Sequence, residues 1–597
     1  MPGHPHRKRP AHRRIGLPRR SRTRLFGLLV VCGLAFSAIG VKLVSIQALD
    51  AKRLKSASLA QSEQAVTLPA MRGSILARNG DELALSEVRA TIFADPTEIT
   101  DAPKEAAALA RLLHQPASQL QAELTARTTY VPLVTGASQV QADAVQQVID
   151  TGALPGIGIH QSPIRYHPAG VLAAPLLGAL NANGATGGLE LEYDRELRGR
   201  SGRLVQAVDP SGHPIPGSVA QDVPAVDGQD VLTTVDEGLQ YQAEQALAKA
   251  VRSAHATGGT AVVEDTHTGQ LLAIASLASN GKGGPVTQAQ SETAFTSVYE
   301  PGSVAKIVTV SGALATGAIT PGQSFVIPNG YPVAGTVFHD DVPHPTYDLQ
   351  VTGILAQSSN IGAIQIAQRM GPYRLYHYEQ AFGLTAATAV HFPGESPGIV
   401  TPLSRFSGTT LPTLAFGEAD AVTAVQMLGA LNTVANGGVY VPPRLVTGFV
   451  DAAGREVRLP APAPRRVVPT WVARAITPML EQVVATGTGV SAQVPGYAVA
   501  GKTGTALALN GRGGYDQSTF VSSFAGFLPA QHPRISILVV VDHTPLYGAE
   551  AAAPAFSAIA RDAMVDFGIP SDGPQPRPST ASVPWVNGQP ELSYLQP

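Results

Sequence analysis

YEPGSVAKIVTVSGALA, residues 299–315, is the stretch on which the fold turns. Pro301 and Gly302 punctuate the chain just before an apolar helical pattern, so Ser303 falls in the first turn and Lys306 three residues later. Side chains at that spacing share one helix face. A hydroxyl is a weak nucleophile at neutral pH, and a neighbouring amine that loses its proton by desolvation can act as its base. The helix start adds positive potential where anionic charge develops. Alone, the spacing is equally that of an ordinary helix start with a surface lysine. The chain even holds a decoy: Ser279 and Lys282 in SNGKGGP have the same separation, but in a glycine-rich loop where no helix would hold them together.

Two elements further along raise the catalytic reading. Ser358-Ser359-Asn360 follows the apolar run GILAQ, and Lys502-Thr503-Gly504-Thr505 lies in the alternating run YAVAGKTGTALAL, which predicts a strand. Such a strand can pair with an extended peptide, while Lys502 and Thr503 offer a cation and a hydroxyl to a carboxylate. Gly504 is expected to keep the cleft wall free of a side chain. Backbone N–H groups of Ser303 and Thr505 are the expected oxyanion donors. Ser358 is then a candidate proton shuttle, and Asn360 would hold Lys306 and a substrate amide.

Working outward, TAVVEDTHTG and QLLAIASL upstream and STFVSSFAGFLPA and RISILVVVDH downstream read as strands, with helices at about 237–253 and 554–567. A sheet built from both ends of one domain, layered with helices, is implied over residues 227–568. Residues 47–226 read as a helical stalk to about residue 66 followed by an elongated α+β pedestal. The segment 569–597, rich in Pro and Ser, is expected to be disordered.

The chain has 597 residues, 44% hydrophobic and 14% charged, enough for two or three domains with real cores. Its net charge of −2 hides an asymmetry: nine of the first 24 residues are Arg or Lys, and none is acidic. A basic arm of that kind can bind nucleic acid, but here the uncharged run from Leu25 to Val41 follows at once. With Lys42 snorkelling, residues 25–46 are long enough for a transmembrane helix, and no small-x-small site favours a cleaved signal peptide. The positive-inside rule leaves residues 1–24 in the cytoplasm and the bulk outside a cell membrane, where chemistry proceeds without ATP. Cys32 is the single cysteine and lies in that run, which excludes a disulfide framework or thiolate metal site within the chain. His339, Asp340, Asp341 and His344 in HDDVPH fit no helix face and read as a loop; no metal or cofactor is expected.

SVAK, SSN and KTG in that order and at those separations resemble the three motifs of penicillin-binding transpeptidases and serine β-lactamases. Upstream, RGSILARNGDELA, FADPTEI and GGLELEYDRELRG resemble blocks of the class B penicillin-binding pedestal, so the likeness extends to about residue 567. Within that class the chain looks most like FtsI-type division enzymes of actinobacteria. The resemblance implies an antiparallel sheet flanked by helices. It makes Ser303 the acylated nucleophile and Lys306 its base, with Ser358, Asn360, Lys502 and Thr503 completing the site. Arg72, Gly73 and Glu190 map onto pedestal motifs. It implies stem-peptide cross-linking in septal wall synthesis, β-lactams as inhibitors, and a membrane glycan polymerase of the FtsW type and other division proteins as partners, with no nucleic acid. Ala77, Gly417-Glu418-Ala419 and Ala424 depart from the family pattern, Ala424 as a minor loop change. The rivals are a D,D-carboxypeptidase or β-lactamase, in which water outcompetes the amine, and a non-catalytic β-lactam-binding scaffold.

Overall fold

The computed structural model describes residues 19–49, 63–181, 183–209 and 214–595, which fall into two compact units. One comprises residues up to Leu68 with Ser201–Ala225. It contains the helix Arg19–Val44, and the span Thr23–Gln47 is long and apolar enough to cross a membrane. Its strands Glu63–Leu68, Gly202–Val208 and Pro214–Val223 form an antiparallel sheet in that order. Most of the expected helical stalk lies outside the described residues, and its end, from Glu63, is strand rather than helix. The alternation in EQAVTL outweighs helical periodicity there.

The second unit contains two larger sheets. In the first, Asp230–Thr233 pairs in parallel with Ile75–Leu76 on one side and antiparallel with Val446–Val450 on the other. One sheet therefore runs across the expected division at residue 227. Glu190 is fully buried beside it. Its carboxylate accepts from Arg72 Nε at 2.6 Å and Arg165 Nε at 2.6 Å, while Arg72 also reaches Asp194 at 2.7 Å and Arg165 donates to the Gly73 carbonyl at 2.7 Å. The sequence motifs at 72–73 and 190 are thus one ion network. Ala77, where an acidic residue is usual, is itself fully buried, so a charge there would need a partner of its own. Glu190→Ala would leave the buried Arg165 guanidinium without a carboxylate and Arg72 with Asp194 alone. It is expected to destabilise the unit by about 3–5 kcal/mol, read as a lowered denaturation midpoint.

The second sheet has six strands, all antiparallel, in the order Thr287–Gln288, Leu271–Ala278, Gly258–Asp265, Ile535–Thr544, Tyr515–Leu528, Ala500–Leu509. Glu237–Ser253 and Ala553–Asp566 cover one face. Asp236 caps the first of these, accepting from Leu239 N at 3.1 Å, and Leu239, Ala243, Leu247 and Val251 put one apolar stripe on the sheet. The other face carries Ala424–Ala435, Thr470–Ala485 and Lys306–Ala315. Ala424 is the first residue of its helix, behind a Thr423–Gln426 capping box, and not a loop position. That is where proline is well tolerated, since the N–H there has no partner inside the helix.

The expected disorder is not found over the segment of residues 570–595, and the last two residues lie outside the described ones. Gln575 donates to the carbonyls of Glu481 and Val499 and accepts from Val499 N, each at 2.8 Å, and Ser579 N donates to Gln482 Oε1 at 2.8 Å. Val583 is fully buried, and Trp585 pairs with Asp348. Its prolines hold an extended backbone with few free donors, so little entropy is lost on ordering and a few side-chain bonds suffice.

Candidate active site

Ser303 sits in a short 3-10 turn, Gly302–Ala305, and the α-helix proper begins at Lys306. Gly302 has φ +52, and a Cβ there would lie 2.8 Å from the Thr505 carbonyl oxygen. Only glycine lets the turn lie against the strand Ala500–Leu509 in this conformation. Gly504 serves the same approach from the strand side, since a Cβ on it would meet Pro301 O at 2.7 Å and Val304 at 2.9 Å. Its missing side chain therefore faces the serine turn, correcting the expectation that it bares the cleft wall. Strand alternation puts Thr503 and Thr505 on the cavity instead.

Lys306 is fully buried, and its Nζ donates to Ser303 Oγ at 2.8 Å, the Ser358 carbonyl at 2.5 Å and Asn360 Oδ1 at 2.7 Å. Ser358 Oγ lies 3.3 Å from Lys306 Nζ and accepts from Lys502 Nζ at 2.9 Å. Ser358 reaches this bridging position with φ +60, a conformation that a serine adopts only where its surroundings hold it. Lys502, also fully buried, approaches Thr503 Oγ1 at 3.3 Å, and that hydroxyl is bonded to Thr488 Oγ1 at 2.6 Å. The three sequence elements thus meet in one connected line, although up to 199 positions separate Ser303 from Lys502.

Burial dominates the electrostatics. It lowers the Lys306 ammonium to about 8, against the opposing pull of Asp341, Asp340 and Glu418. Lys502 is pushed well below its ordinary value by burial and then by the charge of Lys306. Burial lifts Glu418 to about 7, helped by Glu300 and Asp341. The departing Gly417-Glu418-Ala419 segment abuts the site, the Gly417 carbonyl accepting from Gly302 N at 3.1 Å.

Sequence reasoning missed the role of HDDVPH. It is a loop, but Asp340 accepts from Ser359 Oγ at 2.8 Å, Ile361 N at 2.9 Å and His344 Nε2 at 3.1 Å. Asp341 accepts from Asn360 Nδ2 at 3.1 Å, which turns the amide oxygen of Asn360 toward Lys306. Two acidic residues followed by histidine, between prolines and glycines, were the signal; weighing them only as metal ligands hid their use as orienting acceptors. Ser303, Ser358, Thr503 and Thr505 line a cavity of about 400 Å³ together with this loop. Lys282 of the decoy pair is exposed in its loop, away from these contacts.

Residues 259–561 match the penicillin binding protein transpeptidase domain, and residues 67–233 match the penicillin-binding protein dimerisation domain. The chain is 32% identical to the penicillin-binding protein PbpB of Mycolicibacterium smegmatis, over 94% of this chain and 92% of that protein. It is 31% identical to the peptidoglycan D,D-transpeptidase FtsI of Escherichia coli, over 84% of each. Among solved structures, a peptidoglycan synthetase of Bifidobacterium adolescentis superposes with a TM-score of 0.68 at 29% identity, covering 88% of this chain and all of that one. Penicillin binding protein 3 of Mycobacterium tuberculosis, complexed with aztreonam, superposes with a TM-score of 0.66 at 28% identity, over 85% of this chain and 99% of that one.

Proposed function

The chain belongs to the penicillin-binding proteins that join a dimerisation domain to a transpeptidase domain, and on that premise we propose that it cross-links peptidoglycan stem peptides through an ester on Ser303. It is a serine D,D-transpeptidase of the FtsI and PbpB type. The observation that carries the assignment of residues is the buried Lys306 ammonium bonded at once to Ser303, Ser358 and Asn360.

Neutral Lys306 takes the Ser303 proton as Oγ attacks the carbonyl of the penultimate D-alanine. The N–H groups of Ser303 and Thr505 hold the oxyanion. The C–N bond breaks, and the proton passes from Lys306 through Ser358 to the departing D-alanine amine. The amine of a neighbouring stem then attacks the ester, giving its proton up through the same groups, so that Ser303 leaves as a hydroxyl. Lys502 and Thr503 bind the donor carboxylate, and the edge strand pairs with the donor backbone. β-Lactams acylate the same serine. The apolar helix near residues 23–47 anchors the protein, with its basic arm in the cytoplasm and the catalytic domain outside. A glycan polymerase of the FtsW type and other division proteins are its partners in septal synthesis.

The test is to incubate the full chain in detergent with a fluorescent penicillin and map the adduct by mass spectrometry. A label on Ser303 that lasts for hours is the expected result. Loss within minutes would move the assignment to a hydrolase, and folded protein that takes no label would leave only the scaffold.

A further inference from the structure

The segment 570–595 does more than cover apolar surface: it runs to the catalytic cavity. The carbonyl of Ala581 packs on Gly353, in the helix Val351–Ala356 that leads into Ser358. Ser582 O accepts from Gln357 Nε2 at 3.1 Å, and Gln357 lines the cavity next to Ser358. After the pairing of Trp585 with Asp348, a turn in which Glu591 N donates to Pro584 O at 2.8 Å redirects the chain. Tyr594 thereby becomes a wall of the cavity that contains Ser303. It lies within electrostatic range of Tyr347, against whose ring His344 packs tilted by 31° at 4.2 Å between centroids.

The lining has a definite chemical bias. It includes three carboxylates, Asp340, Asp341 and Glu550, and three tyrosines, Tyr347, Tyr547 and Tyr594, against one imidazole, His344, which is bonded to Asp340, and no lysine or arginine among the described residues. The two lysines of the site are buried beneath it, Lys306 on Ser303 and Lys502 toward Thr503. The donor carboxylate belongs at Lys502 and Thr503. The remaining wall would repel a second carboxylate and attract a cation, through aromatic faces and through carboxylate charge.

We propose that Tyr594, carried to the cavity by the segment 570–595, is a specificity-determining residue for the acyl acceptor, forming with Tyr347 the wall that receives the side-chain ammonium of the second stem peptide, which gives one proton to water and then, as the free amine, attacks the ester. This rests on the transpeptidase reading above and extends it to the acceptor. Tyr594 is 42% exposed and stands at the rim, so truncating it removes the wall without emptying a core.

The full chain in detergent is acylated by a thioester donor and offered two amines. One is a synthetic stem peptide with a free side-chain amine, cationic at neutral pH; the other is hydroxylamine, which is uncharged there. Mass spectrometry reads how the acyl-enzyme partitions between each amine and water. Tyr594→Ala is expected to lower partition to the stem-peptide amine about 10-fold and to hydroxylamine by less than about 2-fold, the scale of one lost cation–aromatic contact. Tyr594→Phe, which keeps the ring, restores the stem-peptide value, and deleting residues 591–597 repeats the alanine result. Equal losses for both amines, or no loss in either truncated variant, overturn the proposal while leaving the transpeptidase in place. A wild-type chain that accepts no acyl group instead overturns the transpeptidase reading, and the acceptor wall with it.

Discussion

Ser303→Ala is expected to abolish covalent labelling by a penicillin, with acylation falling by ~10⁴-fold or more while the protein keeps its fold. The substitution removes one oxygen and its 2.8 Å bond from Lys306 Nζ. Lys306 retains the Ser358 carbonyl and Asn360 Oδ1, so the buried amine is not left without acceptors. Loss of one hydrogen bond costs about 1 kcal/mol, too little to unfold a domain of this size. Time courses with a fluorescent penicillin, run beside thermal denaturation, separate the two effects. Undiminished labelling of the alanine variant would place the nucleophile elsewhere.

The second large effect is on Lys306. In the resting geometry its Nζ donates to three oxygens, an arrangement suited to the ammonium, yet burial has lowered that ammonium to about 8. Deprotonation lets Ser303 reverse its bond and donate to Nζ, the arrangement that a general base requires. The sign follows: the reactive neutral form fills as pH rises through about 8, so the acylation rate is expected to climb through that region and level off above it. Lys306→Ala is expected to cost about 10³-fold in acylation and to erase that rising limb, as measured by rate against pH. If the limb persisted in the variant, Glu418, lifted to about 7 close by, would be the titrating group, and Lys306 would only position Ser303.

Much of this site could be read along the chain. The turn of Pro301 and Gly302 before an apolar helix, the strand alternation around Lys502 and the segregation of nine cations before an uncharged run are local patterns, written in residues a few positions apart. Local periodicity reports helix faces and strand faces because side-chain directions follow backbone geometry. The strand-like runs before and after the motifs then pointed to a sheet assembled from both ends of one domain, and the six antiparallel strands have that form.

Other features had no local signature. HDDVPH reads as a polar loop until Ser359, Ile361 and Asn360 are brought against it. The proline-rich segment after residue 569 reads as disordered because its tethers, Gln575 and Gln482 among them, meet only across 74 or more positions. Gly504 looked like an open wall, and the reason it must be small is the backbone of Pro301 together with the hydroxyl of Ser523. The sequence by itself singled out the candidate residues and the kind of element on which each stands, because those choices depend on neighbours within a turn or two. Only the tertiary structure decided how far the amine of Lys306 is desolvated, which acceptors aim Asn360 and Ser359 and which distant segment walls the cavity, because burial and long-range hydrogen bonds exist only once the chain has closed on itself.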